Sequence, residues 1–363
     1  MPFSSFHDNE ETVGRLRQML ARGRFPHAVL LTGPEGAGKY TLALMLAQAM
    51  NCLAAPEPGE FCGTCENCRR IAGAADVEAR VAEAVEAREA LRETDKKETR
   101  IIIQTHPDVM VLPPDPPQLM IKLGQVRRVI ETIYYKPAEA RRRVYIFTDS
   151  SFMKEAANSL LKVLEEPPEY ATLFLLAVNS GELLPTIRSR CLAFHLSALP
   201  VEAVERHLAA CHPEWNVRQR QLVARLSGGA LGRAQGFDLA AYAEARKDAL
   251  LILHSALQSS DHSALFHATE AYRAGAEGKE KTERLVSATY SLLEDLLAID
   301  SGAPQLVRNT DVSAELGKLG QAVSFEWITH AARSLAQVES GMRRNLLRSL
   351  SLDALAVSLE TGI

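Results

Sequence analysis

The sequence predicts an α/β fold, a doubly wound parallel sheet built around a phosphate-binding loop and followed by a wholly helical C-terminal part. Three observations support this prediction. The stretch "GPEGAGKYT" at residues 33–41 lies between an apolar strand and a helix, four cysteines cluster at 52–68, and helical periodicity dominates beyond residue 198. A chain of 363 residues exceeds one ordinary hydrophobic core, so we expect two or three domains.

Composition narrows the possible functions. Hydrophobic residues make up 47% and charged residues 24% of the chain, as in globular proteins. The net charge of −4 argues against a protein that coats nucleic acid alone, so DNA contact would need a local patch or a larger assembly. The N-terminus lacks an apolar segment of signal-peptide length and no run reaches a membrane span, so we expect a cytoplasmic protein without membrane contact.

The phosphate-binding loop is the first chemical feature of the chain. "HAVLLTG" predicts a short buried strand and "KYTLALMLAQAM" a helix, which is the context that the pattern G-x-x-x-x-G-K-[ST] requires. The candidate nucleotide-binding residues are Gly33, Gly36, Gly38, Lys39, Tyr40 and Thr41. Backbone N–H groups from Gly36 to Lys39 would point at phosphate oxygens. The pattern is broken at Tyr40, where a Ser or Thr would hold Mg²⁺. Thr41 cannot take over this role, because it lies one residue later and is rotated about 100° around the helix from position 40.

The cysteine cluster predicts a metal centre. Its spacing, C-x9-C-x2-C-x2-C, is formed by Cys52, Cys62, Cys65 and Cys68. Four thiolates close a structural zinc site with no open position. An iron–sulfur cluster is the alternative, but ferredoxin-type runs continue to a fourth Cys followed by Pro, and here the fourth lies upstream. A disulfide would need an oxidising compartment, which nothing in the sequence indicates. Cys191 and Cys211 stand alone, and we expect both to be buried, inert thiols.

The remaining elements of the N-terminal part alternate between helix and strand. Asp8 and Asn9 are cap candidates for a first helix, and the charged, alanine-rich residues 72–100 predict one solvated helix, with partner docking as the alternative. "IIIQTHPDVMVL" predicts one strand and "PPDPPQ" a loop. The next segments predict, in order, a helix in "KLGQVRRVIETIYYKP", a strand in "RRVYIFTDSS", a helix in "EAANSLLKVLEEPP" and a strand in "ATLFLLAVNS". Parallel strands with crossover helices give the doubly wound sheet.

Several motifs together carry a family resemblance. "FPHAVLLTGPEGAGK", the four cysteines, "HPDV", "AANSLLKVLEEPP" and "TIRSRCLAFHL" occur in this order in bacterial clamp-loader ATPases, so residues 1–200 resemble that family. These subunits of DNA polymerase III place the sliding clamp on primed DNA. The resemblance implies an AAA+ P-loop core at 1–198 with an inserted zinc module at 52–68, a helical lid at 199–239 and a helical collar at 240–363. It also implies a five-membered ring with gamma/tau motors and a delta subunit.

Two subunit types of this family share the motifs, the ATP-hydrolysing gamma/tau motor and the delta-prime stator. In the motors the strand that matches "YIFTDS" ends in Asp-Glu, where the Asp helps to hold Mg²⁺ and the Glu activates water. Asp149 is kept here, but Ser150 replaces the glutamate, and a serine hydroxyl is not basic enough to prepare water for attack. Together with Tyr40 this favours the stator, with little or no hydrolysis. Lys39 and the glycines remain, so binding of ATP or ADP without turnover stays open.

The resemblance also assigns roles outside the phosphate loop. Arg190 in "TIRSRC" matches a trans arginine finger, which reaches the neighbouring subunit's ATP site and can change the rate ~10³–10⁵-fold. The alternative for Arg190 is a surface arginine in a salt bridge. In "GGALGRAQ", Gly232 takes the place of the motors' sensor arginine, and Arg233 is displaced by one residue.

Three functions are therefore weighed. The preferred one is a delta-prime-like stator that supplies its arginine finger to a motor. The second is an active gamma/tau-like motor in which Tyr40 is tolerated. The third, a zinc-dependent nucleic-acid-binding ATPase unrelated to replication, does not account for "SRC" and "LLKVLEEPP".

Overall fold

The computed structural model describes residues 3–258, 272, 275–343 and 348–361. These residues form two compact units. The first unit extends to Leu199 and includes Ala230–Gly232, and the second contains 200–229 and the residues from Arg233 onward. The division of the second unit into lid and collar stays a prediction, and part of the predicted 240–363 collar lies outside the described residues.

The first unit is built on one six-stranded sheet. Its strands are β1 (Ala28–Thr32), β2 (Ile103–His106), β3 (Val109–Leu112), β4 (Arg143–Phe147), β5 (Ala171–Ala177) and β6 (Leu192–His195). Their order across the sheet is β2-β3-β4-β5-β1-β6, and every neighbouring pair except β2–β3 is parallel. The predicted α/β doubly wound fold is confirmed. The sixth strand, in "LAFH", was not predicted.

Helices cover both faces of this sheet. They are α1 (Glu10–Ala21), α2 (Lys39–Asn51), α3 (Glu66–Ala72), α4 (Val77–Glu89), α5 (Glu93–Glu98), α6 (Leu123–Ile133), α7 (Lys154–Glu165) and α8 (Pro185–Arg188). Successive strand residues point to opposite faces, so Val29 and Leu31 join a core that contains Leu16 of α1, whereas Leu30 joins a second core that contains Leu160 of α7. Both cores are buried, which explains the unbroken apolar run of β1.

One strand prediction for this unit is wrong. "IIIQTHPDVMVL" forms an antiparallel hairpin, β2 and β3, and not one strand. The buried Asp108 fixes its turn, because the carboxylate accepts the N–H groups of Ala138, Glu139 and Ala140 at 2.8–2.9 Å. The predicted cap position of α1 is confirmed, since Asn9 is the N-cap residue, but its side chain makes no capping bond and pairs with the backbone of Ser197 instead.

The segment 72–100 forms two helices, α4 and α5, and not the single solvated helix predicted. No residue of α4 is fully buried, yet Val77 and Val81 pack against the first core. At the end of α4, Arg88 makes a 2.6 Å ion pair with the fully buried Asp115. The segment is therefore docked onto the unit along one side of α4.

The second unit is helical in its described part. Its helices are α9 (Val201–Cys211), α10 (Val217–Leu226), α11 (Leu231–Gln235, whose first two residues belong to the first unit), α12 (Leu239–Gln258), α13 (Gly275–Asp300), α14 (Ser313–Gly320), α15 (Phe325–Arg343) and α16 (Arg348–Thr361). Leu253, Leu292, Leu316 and Trp327 lie in its core. Among the described residues, no helix combines the length and the hydrophobicity needed to cross a membrane.

Candidate functional site

The phosphate loop joins β1 to α2, and its glycines are required by its geometry. Gly33, Gly36 and Gly38 all have positive φ angles, of 143°, 75° and 85°. A Cβ on Gly33 would collide with the carbonyl oxygen of Leu196, and one on Gly38 would lie 3.0 Å from the ring of Phe6. The loop ends at Lys39, the first residue of α2, so the N-terminus of this helix faces the loop, as an anion-binding site requires.

Lys39 is folded back onto the loop. Its Nζ donates hydrogen bonds to the carbonyl oxygens of Gly33 at 2.6 Å and Pro34 at 2.7 Å. Burial lowers the pKa of Lys39, and the carboxylates of Glu35, Glu182 and Asp149 act in the opposite direction. The negative charges of these carboxylates therefore favour the charged form of Lys39, whose direct hydrogen-bond partners are the two loop carbonyls. Thr41, one residue past the expected position of the magnesium ligand, is exposed on α2.

Tyr40 is used elsewhere in the fold. Its hydroxyl donates a 2.5 Å hydrogen bond to the carbonyl oxygen of Ala74, just after α3. Burial raises the pKa of the Tyr40 phenol, so it remains a neutral donor. Position 40 thus ties the start of α2 to Ala74, just beyond the helix α3 that carries Cys68, and offers no Ser or Thr hydroxyl for Mg²⁺.

Asp149 and Ser150 follow β4, and Ser150 contacts Glu182, a residue that sequence reasoning missed. One carboxylate oxygen of Asp149 accepts the Ser151 N–H at 2.6 Å. The Ser150 hydroxyl donates to Glu182 Oε2, and Glu182 Oε1 accepts the N–H of Asn179 at 3.3 Å. A carboxylate therefore stands beside the position where the motors have their glutamate. The available signal was the capping-box spacing Asn179-x-x-Glu182 directly after a strand.

Arg190 lies just after α8 and is bound within its own chain. Its Nη2 forms a 2.6 Å ion pair with Glu165 Oε1, and its Nη1 donates to the carbonyl oxygen of Thr186 at 2.8 Å. The side chain of Arg190 is 33% exposed and that of Glu165 50% exposed. The ion pair matches the salt-bridge alternative, and the exposure leaves the guanidinium accessible.

The four cysteines converge. Their sulfur atoms all lie within 4.8 Å of one another, with Cys52 Sγ 3.5 Å from Cys62 Sγ and 4.0 Å from Cys65 Sγ. Four sulfurs at ~2.3 Å from a tetrahedral zinc would be about 3.8 Å apart, so the group fits such an ion. Cys52 and Cys68 are buried, and the N–H groups of Cys65 and Thr64 lower the pKa of Cys62 to about 6. The cluster can bind a metal.

Of the other sequence candidates, the two single cysteines differ from expectation and Gly232 contacts the phosphate loop. Cys191 is half-buried and Cys211 is exposed, so the expectation of two buried thiols is wrong. Gly232 N–H donates to the carbonyl oxygen of Gly36 at 2.9 Å, and a Cβ on Gly232 would lie only 3.0 Å from that oxygen. The close contact explains why a glycine suits this position beside the phosphate loop.

The glycine loop, its strand and its helix define a P-loop protein, here with a cysteine module that follows α2. A sequence model of the family described as "DNA polymerase III, delta subunit" matches residues 8–200. Because the match covers more than half of the chain, the chain belongs to this family, and the family resemblance is confirmed.

Relatives of two kinds are similar to the chain. The tau subunit of DNA polymerase III from Escherichia coli is 31% identical over 269 residues, which is 71% of this chain and 33% of that protein. The delta' subunit from Bacillus subtilis is 24% identical over 96% of this chain and 94% of its own length. The delta' subunit from Pseudomonas aeruginosa is 30% identical over 60% and 57% of the two chains. The chain spans about a third of the tau subunit.

Proposed function

We propose that the chain is a delta-prime-like stator of the DNA polymerase III clamp loader. In this role it helps to load the sliding clamp onto primed DNA and hydrolyses little or no ATP. The observation that carries the proposal is the use of Tyr40 and Ser150. Both occupy positions that hydrolysis needs, and both side chains are engaged elsewhere, with Ala74 and Glu182.

The chemistry of these two positions explains the lack of turnover. Without a hydroxyl at the position of Tyr40, Mg²⁺ loses one protein ligand beside the phosphates. Ser150 cannot accept a proton from water at neutral pH, so the attacking water has no base at that position. The glycine loop still precedes a helix N-terminus that suits phosphate oxygens, and Lys39 would turn from the Gly33 and Pro34 carbonyls to reach them, so ATP or ADP bound there would stay intact.

Arg190 serves a neighbouring subunit in this proposal. A guanidinium directed at the γ-phosphate offsets the charge that develops during transfer. Arg190 is partly exposed and follows the short helix α8. To reach a neighbour's nucleotide it must leave Glu165, an exposed ion pair of the kind that contributes only about 0.2–1 kcal/mol. The finger is therefore held weakly.

The cysteine module holds a structural Zn²⁺ in this proposal, with Cys52, Cys62, Cys65 and Cys68 as ligands. The sulfur spacing favours it. A closed four-thiolate site leaves no position for water, so the metal would supply folding energy and no catalysis. The module packs on α2 through a hydrogen bond from the Gln48 side chain to the carbonyl oxygen of Cys68.

The ring partners follow from the family. We infer a pentamer with gamma/tau motors and a delta subunit, in which residues 240–363 form the collar and 199–239 the lid. Tagged full-length protein should co-purify with a P-loop motor subunit and a ring-shaped clamp, and alone it should show no appreciable ATP turnover. Failure to associate with a motor subunit, or steady motor-like turnover by the protein alone, would contradict the proposal.

The second candidate is a motor ATPase of the same family. Glu182 favours it, because its carboxylate contacts Ser150 near Lys39 and could stand in for the missing base. Turnover that is abolished by Lys39→Ala and by Glu182→Gln would establish this alternative.

A further inference from the structure

We propose that Glu182 makes the phosphate loop selective for a nucleoside diphosphate over the triphosphate. The inference deepens the proposed function, because it rests on a loop that binds phosphate without turnover. It concerns one side chain that the sequence motifs do not contain. Three features carry it: the position of Glu182, its fixed carboxylate and the charge around Lys39.

The position of Glu182 follows from the sheet. β5 lies beside β1, and both strands end at the same edge because they are parallel. The Gly33 N–H donates to the carbonyl oxygen of Val178 at 3.2 Å, which joins the start of the phosphate loop to the end of β5. Glu182 lies four residues later, in the 3₁₀ turn Ser180–Glu182. The turn therefore stands next to the loop.

The carboxylate of Glu182 is held in a defined orientation. One oxygen accepts the hydroxyl hydrogen of Ser150, and the other accepts the N–H of Asn179. The side chain bridges the ends of β4 and β5, and through Ser150 it contacts the residue next to Asp149, the carboxylate that the proposed function places at the magnesium. An oriented carboxylate therefore lies beside the position that the proposed function assigns to the magnesium and the attacking water.

The charge around Lys39 then makes the affinity for the diphosphate differ from that for the triphosphate. The negative charges of three carboxylates, those of Glu35, Glu182 and Asp149, act on the single ammonium group of Lys39. The β-phosphate would be bound by backbone N–H groups of the glycine loop, which carry no opposing charge. The γ-phosphate would add negative charge beside Asp149 and Glu182, where Tyr40 provides no magnesium ligand. The diphosphate is therefore favoured.

The experiment compares Mg·ADP and Mg·ATP binding to the full-length protein by calorimetry. Glu182→Gln removes the charge and keeps an oxygen that can accept from Ser150. We expect the wild type to bind ADP more tightly, and the variant to bind ATP roughly fivefold more tightly while ADP affinity changes less than twofold. Glu86→Gln, on the exposed side of α4, is the matched control and should change neither affinity.

Three results would overturn the proposal: an ATP affinity that Glu182→Gln leaves unchanged, an equal gain for both nucleotides, or no binding of either nucleotide by either protein. ATP turnover is recorded in the same samples. Wild-type turnover lost in Glu182→Gln would make Glu182 a catalytic base and overturn both this proposal and the stator. Absence of turnover with unaltered ATP affinity would refute only the selectivity.

Discussion

Arg190→Ala tests the stator most directly, and the structure sets the size of its effect on stability. The substitution removes the 2.6 Å ion pair with Glu165 and a hydrogen bond to Thr186. Because both charged side chains are substantially exposed, at 33% and 50%, the pair contributes no more than about 1 kcal/mol. We expect the free energy of unfolding, measured in urea, to fall by less than about 1 kcal/mol. The melting temperature, measured by thermal unfolding, should fall by about 2–4 °C at most.

The same substitution should change activity only in the assembly. In a reconstituted loader, removal of the finger should lower hydrolysis at one neighbouring site by ~10³-fold or more. Total ATP turnover should fall by that site's share, because the other motor sites keep their own fingers, and clamp loading should slow. Arg188→Ala is the matched control, since Arg188 is also exposed and lies two residues earlier on α8.

Three outcomes would refute this reasoning about Arg190. Equal ATPase and loading rates for the wild type and Arg190→Ala would mean that Arg190 only forms a surface ion pair and is not an arginine finger. A variant that no longer assembles would assign Arg190 to an interface. A stability loss well above 1 kcal/mol would mean that the side chain supports its own fold.

Three further predictions concern other contacts. Tyr40→Phe removes the hydroxyl that donates to Ala74 and should lower the free energy of unfolding by about 1 kcal/mol in urea titrations, whereas no change would mean that the contact is unimportant. Cys65→Ser should reduce the zinc content, measured by mass spectrometry, from one ion per chain to well below one, while far-ultraviolet circular dichroism still shows a folded core. Finding iron or no metal in the wild type would refute the zinc site. Glu165→Gln should free Arg190 and raise hydrolysis in the reconstituted loader up to about fivefold, whereas a rate equal to that of the wild type would show that the pair does not restrain the finger.

The sequence predicted the parts of the fold that are governed by local pattern. Apolar runs and the glycine loop indicated β1 and α2, and the cysteine spacing indicated a convergent cluster. The β2–β3 hairpin was missed because its turn depends on Asp108, whose buried carboxylate binds backbone N–H groups about 30 residues away. Neither the apolar pattern of the strands nor a turn motif encodes that contact.

The candidate site shows the same division. Tyr40 and Ser150 could be identified from the sequence, because each occupies a defined position in a motif, Tyr40 in the phosphate loop and Ser150 at the end of "YIFTDS". Glu182 could not, since it reaches Ser150 from 32 residues away through the parallel pairing of neighbouring strands. The ion pair of Arg190 with Glu165 likewise joins two motifs 25 residues apart in sequence. Side chains brought together by topology leave little local signature.

In the proposed stator, the contact between Tyr40 and Ala74 opposes a change to threonine at position 40. Such a change would remove the hydrogen bond and also the ring that packs against the first core, so the free energy of unfolding would fall by more than the ~1 kcal/mol expected for Tyr40→Phe. In the proposed stator, turnover would not return in that step, because Ser150 still provides no base. Position 40 would then support the fold as well as prevent hydrolysis, and the cost in stability would oppose a change to the motor role.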